Sequence, residues 1–312
     1  MLLQEGGQVN RRKTTKDEKR KTEIVSAKAK QNHKDTLFRM IFSTPESLLS
    51  LYNAVNGTLY EDASELEIVT LENALYLNMK NDQAFLMDFQ LNLYEHQSTW
   101  NPNMPLRFLF YVSKEYQMLI REYSLYAETL IRIPTPRFVV FYNGDGNHST
   151  ETESTMHLSN AYQQKVEYPE LDLRVRVIDI NLEKNSEVLE TCRLLKEYML
   201  LVTRIRKYKK TMSLDEALER AVTECMEEDI LADFLRKHRA EAIEVCIFEY
   251  NEKRERMLLQ KESERRGIRA LVETMQELNV SEQETCAQLV KKFALSEKEA
   301  KKYMRDFWKV TM

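Results

Sequence analysis

Residues 81–99, NDQAFLMDFQLNLYEHQST, constrain this chain more than any other segment. Residues 83–87 and 91–97 are two short runs rich in Leu, Phe, Met and Tyr, with Asp88, Phe89 and Gln90 between them, the pattern of a β-hairpin. A turn centred on Asp88 and Phe89 pairs residues whose numbers sum to 177, which sets Asp82 opposite Glu95. Directly opposed residues hold their Cβ atoms about 5 Å apart, near enough for two carboxylates to share one divalent cation. Side chains alternate with period two along a strand, so Glu95 and Gln97 point to one face and His96 to the other. Three oxygen-bearing side chains, Asp82, Glu95 and Gln97, then converge at one end of the hairpin. Asp88 sits in the turn, roughly 20 Å from Glu95 at about 3.3 Å per residue, and cannot join them.

The spacing alone admits a plainer reading. Asp82 is then a turn residue, Glu95 a charge at a strand edge and Gln97 an ordinary hydrogen bonder. A register slip of one residue would reverse the faces.

The segment resembles motifs II and III of the PD-(D/E)XK nuclease superfamily, in the branch where Glu-x-Gln replaces Glu-x-Lys, the recombination-promoting nuclease or putative transposase family. The likeness continues through KDTLFRMIF at 34–42, NPNMPLR at 101–107, FVVFYNG at 138–144, LKEYMLLV at 195–202 and DFLRKHRAE at 233–241, in the family's order, and covers roughly residues 32–312. It implies an α/β fold with a PD-(D/E)XK (restriction-endonuclease-like) core, a mixed central sheet flanked by helices, followed by an all-α C-terminal region. It further implies a Mg²⁺-dependent DNA endonuclease in which Asp82 and Glu95 are metal ligands and Gln97 orients the attacking water. Gln97 carries no charge and cannot act as a base at neutral pH, so a second cation or a nearby basic residue must compensate, or activity is modest. Asp35 matches the acid of the family's N-terminal D-x-x-F stretch and could add a water-mediated metal contact; its other reading is a helix N-cap. Arg107, which ends NPNMPLR, could meet a phosphate or simply face solvent. The chain departs from the family at KESERRGIRA, residues 261–270, where relatives carry Gly-Glu-rich repeats.

Composition bounds the rest. A chain of 312 residues has room for more than one domain, and few Gly and Pro (6 of each) beside 31% charged residues favour a helix-rich molecule. No apolar run approaches the ~18–20 residues needed to cross a membrane, and residues 10–34 are polar and basic; the expectation is a cytoplasmic protein without a membrane partner. Cys192, Cys225, Cys246 and Cys286 show no CxxC pair or zinc-ligand spacing and read as reduced thiols. Net charge is −4, yet residues 10–34 hold ten Lys or Arg against three acids. Arg11, Arg12 and Lys13 begin this arm, which can bind DNA phosphates by counterion release or remain a solvated tail. No Ser-His-Asp order, phosphate-cradling Gly loop or dinucleotide fingerprint is present.

The pattern along the chain predicts a basic arm over 1–31, a nuclease core over 32–184, a helical extension over 185–270 and a small helical domain over 271–312. Within the core it predicts a helix near 35–42 capped by Asp35 or Lys34, a helix over 46–56 opened by Thr44-Pro45, and strands at 68–71, 80–87, 91–97, 137–142 and 173–180. Apolar residues at helical spacing run over 106–130. Capping boxes at Ser213, Ser281 and Ser296 divide the tail into segments of about 185–211, 213–275, 281–293 and 296–310. The C-terminal helices are the expected surface for any homo-oligomer. Against the nuclease stands an alternative of another class, a catalytically inactive DNA-binding or scaffold protein that keeps the fold.

Overall fold

The computed structural model describes residues 36–69, 82–144 and 151–308. Asp35, the arm with Arg11, Arg12 and Lys13, and the continuation of the first strand past residue 69 lie outside these residues. The chain divides into two compact units, up to Ile247 and from Phe248 onward. This division falls inside the helical extension expected over 185–270 and not at its end.

The described residues of the first unit begin with two helices, α1 (Leu37–Ile41) and α2 (Pro45–Asn56). The N-cap of α1 is Thr36, whose hydroxyl accepts from Arg39 N, so neither Asp35 nor Lys34 is the cap. Thr44 and Ser47 form the reciprocal cap of α2 with Pro45 in its first turn, and Gly57 ends it in the left-handed conformation at φ 65°. Among the described residues six strands follow: β1 (Glu67–Ile68), β2 (Gln83–Met87), β3 (Gln90–Gln97), β4 (Thr135–Tyr142), β5 (Glu153–His157) and β6 (Arg174–Asp179), in the spatial order β1-β2-β3-β4-β6-β5. β1, β2 and β3 form an antiparallel meander, β4 lies parallel to β3 and β6 parallel to β4, and β5 closes the far edge antiparallel to β6. The molecule is therefore α/β with a mixed sheet.

The β2–β3 hairpin has the register read from sequence: Gln83 pairs with Tyr94, Phe85 with Asn92 and Met87 with Gln90. Asp88 and Phe89 turn the chain at φ 50° and 58°, both left-handed, as a two-residue hairpin turn requires. Phe89 accepts this conformation with its ring 91% exposed.

Both faces of the sheet are covered. On one, Leu91 and Leu93 of β3, Val140 and Tyr142 of β4 and Val175 and Val177 of β6 pack with Met104, Phe108, Tyr111 and Val112 of α3 (Met104–Leu119). On the other, Tyr94 meets Phe85 and Phe141 edge-on, and Phe38 stacks on His96 at 5.1 Å. Each large apolar side chain removed from water this way contributes about 1.5–3 kcal/mol. The odd-numbered residues of β3 thus face α3, and the even-numbered ones face α1.

Three expectations need correction. The helix expected over 106–130 ends at Leu119, because the later apolar residues find no core: Tyr123, Leu125, Tyr126 and Leu130 are exposed. β5 was not anticipated; its sequence, ESTMH, has no apolar alternation, and it is an edge strand held partly by a bidentate Arg176–Glu153 pair. The tail is also more divided. α4 (Glu187–Thr191) and α5 (Arg193–Tyr208) part at Cys192, and α6 (Leu214–Glu227) ends before Asp229 and Leu231, which take left-handed φ without any Gly. α7 (Ala232–Glu277), interrupted by a non-helical His238, contains the division between the units. α8 (Glu282–Phe293) and α9 (Glu297–Phe307) start at the expected caps Ser281 and Ser296. Cys192, Cys225 and Cys246 are buried and Cys286 partly so, none in a disulfide. Among the described residues no helix is long and apolar enough to cross a membrane.

One core residue gives the fold a pH dependence. Glu115, on α3, is 1% exposed, and its Oε1 has no hydrogen-bond partner among the described residues. Burial pushes its carboxyl up to about 7. A raised carboxyl pKa means that the folded state holds the proton longer than the unfolded chain. Stability is full below the ordinary carboxyl range and is lost as pH rises toward 7. Glu115→Gln should therefore stabilise the protein by about 1–2 kcal/mol at pH 8 and change little at pH 4, as read by urea unfolding. Equal effects at both pH values would contradict this.

Candidate functional site

The hairpin end opposite the Asp88–Phe89 turn carries the polar cluster. Continuing the register by one residue beyond Gln83–Tyr94 brings Asp82 to Glu95. The Asp82 backbone N–H donates to Glu95 Oε1 at 3.2 Å, and the His96 backbone N–H donates to Asp82 Oδ2 at 2.7 Å. Each carboxylate is thus held by the other residue's strand. Gln97 lies on the same face, its Nε2 donating to Glu95 Oε2 at 3.4 Å. The sequence-predicted trio Asp82, Glu95 and Gln97 is brought together.

Glu95 is 1% exposed, among the most buried charged side chains of the first unit. Burial, and after it the charge of Asp82, raise its carboxyl well above the usual range. Asp82 is also raised, by burial, while the His96 N–H, Arg107 and Arg39 act in the opposite direction. An uncompensated charge in such a place is costly, so the cluster needs a cation.

Arg107 provides one. It stands in the first turns of α3, on the helix that covers the odd-numbered face of β3, and its Nη2 lies 3.2 Å from Glu95 Oε2. Tyr111, one turn further along α3, braces the guanidinium by accepting from Nε at 3.1 Å and Nη2 at 2.7 Å. Burial works against the charge of Arg107, but Glu95 and Tyr111 overcome it and raise its pKa. The expectation that Arg107 contacts DNA is untouched by this, but its side chain is directed at the carboxylates and is not a plain solvent-facing arginine. Sequence reasoning found Arg107 and missed its partner. The signal available was the i, i+4 pair Arg107–Tyr111 beside the apolar positions 104, 108 and 112 of the same helix.

His96 points away from this cluster, as its alternation requires. It stacks on Phe38, its Nε2 lies 3.1 Å from Tyr198 Oη, and burial pushes its imidazole down to about 4. The ring is neutral at neutral pH and lies apart from the carboxylate site, to which His96 contributes only its backbone N–H.

Among the described residues no group of three or more His, Cys, Asp or Glu side chains suited to a metal occurs. The donor set here is two carboxylates and one amide oxygen. No family model, curated protein or solved structure matches the chain.

The Glu95–Arg107 pair should behave as a coupled unit. Arg107→Met leaves the Glu95 carboxylate buried without a counter-charge and should destabilise the fold by about 2–3 kcal/mol. Adding Glu95→Gln should recover much of that loss, giving a coupling energy of about 1–3 kcal/mol in a double-mutant cycle followed by denaturant unfolding. Strict additivity would show the contact to be incidental.

Proposed function

We propose that the protein is a Mg²⁺-dependent DNA endonuclease of the PD-(D/E)XK type, similar to recombination-promoting nucleases and transposase-like proteins. The observation that carries the reading is the Asp82–Glu95 pair at the open end of the hairpin, Glu95 buried and Asp82 half-buried, with Gln97 beside it. Two carboxylates forced together out of water are unfavourable for folding alone, and a divalent cation between them relieves the repulsion. The element order from α2 through β4, with three antiparallel strands, a helix and a parallel strand, also agrees with the core that the sequence motifs resemble.

The donor set suits Mg²⁺, which commonly takes one or two carboxylates and leaves its other positions to water and substrate phosphate. Asp82 and Glu95 would hold the ion, with the Gln97 side chain beside Glu95. When bound, such an ion polarises the scissile phosphate and makes a coordinated water more acidic. The chain's own groups do the remaining work. Gln97 can hold a water by hydrogen bonding, donating through Nε2 and accepting through its oxygen. Arg107, held by Tyr111, brings to the site the positive charge that Gln97 lacks and that a lysine would supply in the commoner motif. A guanidinium there favours phosphate binding and offsets negative charge that develops as the phosphodiester is attacked. DNA is then the substrate and Mg²⁺ the cofactor.

Nicking of supercoiled plasmid tests this. The parent should nick in Mg²⁺ and stop in EDTA. Asp82→Asn and Glu95→Gln should each lose at least about a hundredfold in rate while keeping the parent's fold as read by circular dichroism, because amides pack similarly but bind hard cations poorly. Gln97→Lys should retain activity. Cleavage by the Asp82 and Glu95 variants at the parent rate would move the active site elsewhere; a parent inert with every divalent cation would leave the scaffold reading.

A further inference from the structure

The second unit carries a charge pattern that the carboxylate site does not use. α8 and α9 are separated by only Ala294, Leu295 and Ser296. Ala294 ends α8 in the left-handed conformation at φ 51°, and Ser296 starts α9 through a reciprocal cap with Glu299. The turn is therefore fixed at both ends. Leu289 of α8 and Ala300 and Met304 of α9 pack with Ile268 and Val272 of α7 in one small core.

That core defines the inner face of α9 and so its outer face. At about 100° per residue, Lys298, Lys301, Lys302 and Arg305 fall within a stripe roughly 100° wide on the side opposite Ala300 and Met304. All four are exposed, and none has an ion-pair partner among the described residues. Glu297, Glu299 and Asp306 lie at the margins of the stripe, and Glu299 is occupied by the cap. From Lys298 to Arg305 the stripe spans roughly 10 Å, close to the ~12 Å width of the DNA major groove.

We propose that α8, the three-residue turn and α9 form a helix-turn-helix that docks α9 on duplex DNA, with Lys298, Lys301, Lys302 and Arg305 on phosphates. Two short helices joined by a three- or four-residue turn present the second helix to a groove. Lysine-rich contacts of this kind position a protein on the duplex without reading its sequence. The choice of DNA over another polyanion rests on the nuclease reading; the surface itself does not.

The test uses the full chain in EDTA, with fluorescence anisotropy of a labelled 25-base-pair duplex across a salt series. The triple substitution Lys298→Gln, Lys302→Gln and Arg305→Gln should weaken binding by about tenfold or more at low salt. It should also flatten the slope of log K against log salt by about 2–3, because each lost phosphate contact removes nearly one unit. The matched variant Lys298→Arg with Lys302→Arg should bind like the parent. Unchanged affinity and slope in the triple variant would overturn the proposal, as would tighter binding of an RNA duplex of the same length. Failure of the nuclease reading gives a different result: a parent that never nicks plasmid, yet whose duplex binding still depends on the α9 stripe.

Discussion

The register of β2 against β3 is the constraint on which the rest depends. It is set by the two left-handed residues Asp88 and Phe89 and protected by burial on both faces of the sheet. A slip of one residue would turn Leu91 and Leu93 out of the core beneath α3 and bring Asn92 and Tyr94 into it. The same slip would separate Asp82 from Glu95. Many ordinary apolar contacts therefore hold two carboxylates in a place that neither would choose alone. Fold stability and site geometry are one problem in this hairpin.

Burying Glu95 creates an electrostatic debt that α3 offsets. The helix lies on the odd-numbered face of β3 because Met104, Phe108 and Val112 fill the space above Leu91 and Leu93. The same packing brings Arg107 to 3.2 Å from Glu95, with Tyr111 fixing the guanidinium. One ion pair leaves Asp82 without a full counter-charge, and its carboxyl remains raised. A divalent cation is the simplest group that would satisfy both acids.

Much of this was legible in the sequence where period and turn chemistry agree. The hairpin followed from two apolar runs and a two-residue gap, the helix starts from Thr44-Pro45, Ser213, Ser281 and Ser296, and the role of His96 from its even number. What was not legible has physical reasons. β5 is a polar edge strand whose pairing is decided by β6 and by Arg176, not by its own pattern. The end of α3 at Leu119 depends on where the core stops, since Tyr123, Leu125 and Tyr126 continue a helical spacing into solvent. The breaks at Cys192 and at 228–231 have no Gly or Pro to mark them. The Arg107–Glu95 pair could be found only once α3 was known to cover that face of β3.

The central claim is that Asp82 and Glu95 together hold one divalent cation. Electron paramagnetic resonance of Mn²⁺ titrated into the full-length protein measures this without any requirement for catalysis. The account predicts one bound Mn²⁺ per chain, displaced by Mg²⁺ and lost in both Asp82→Asn and Glu95→Gln. Binding of Mn²⁺ to the parent and to both variants with equal affinity, or no binding to any of them, would contradict it.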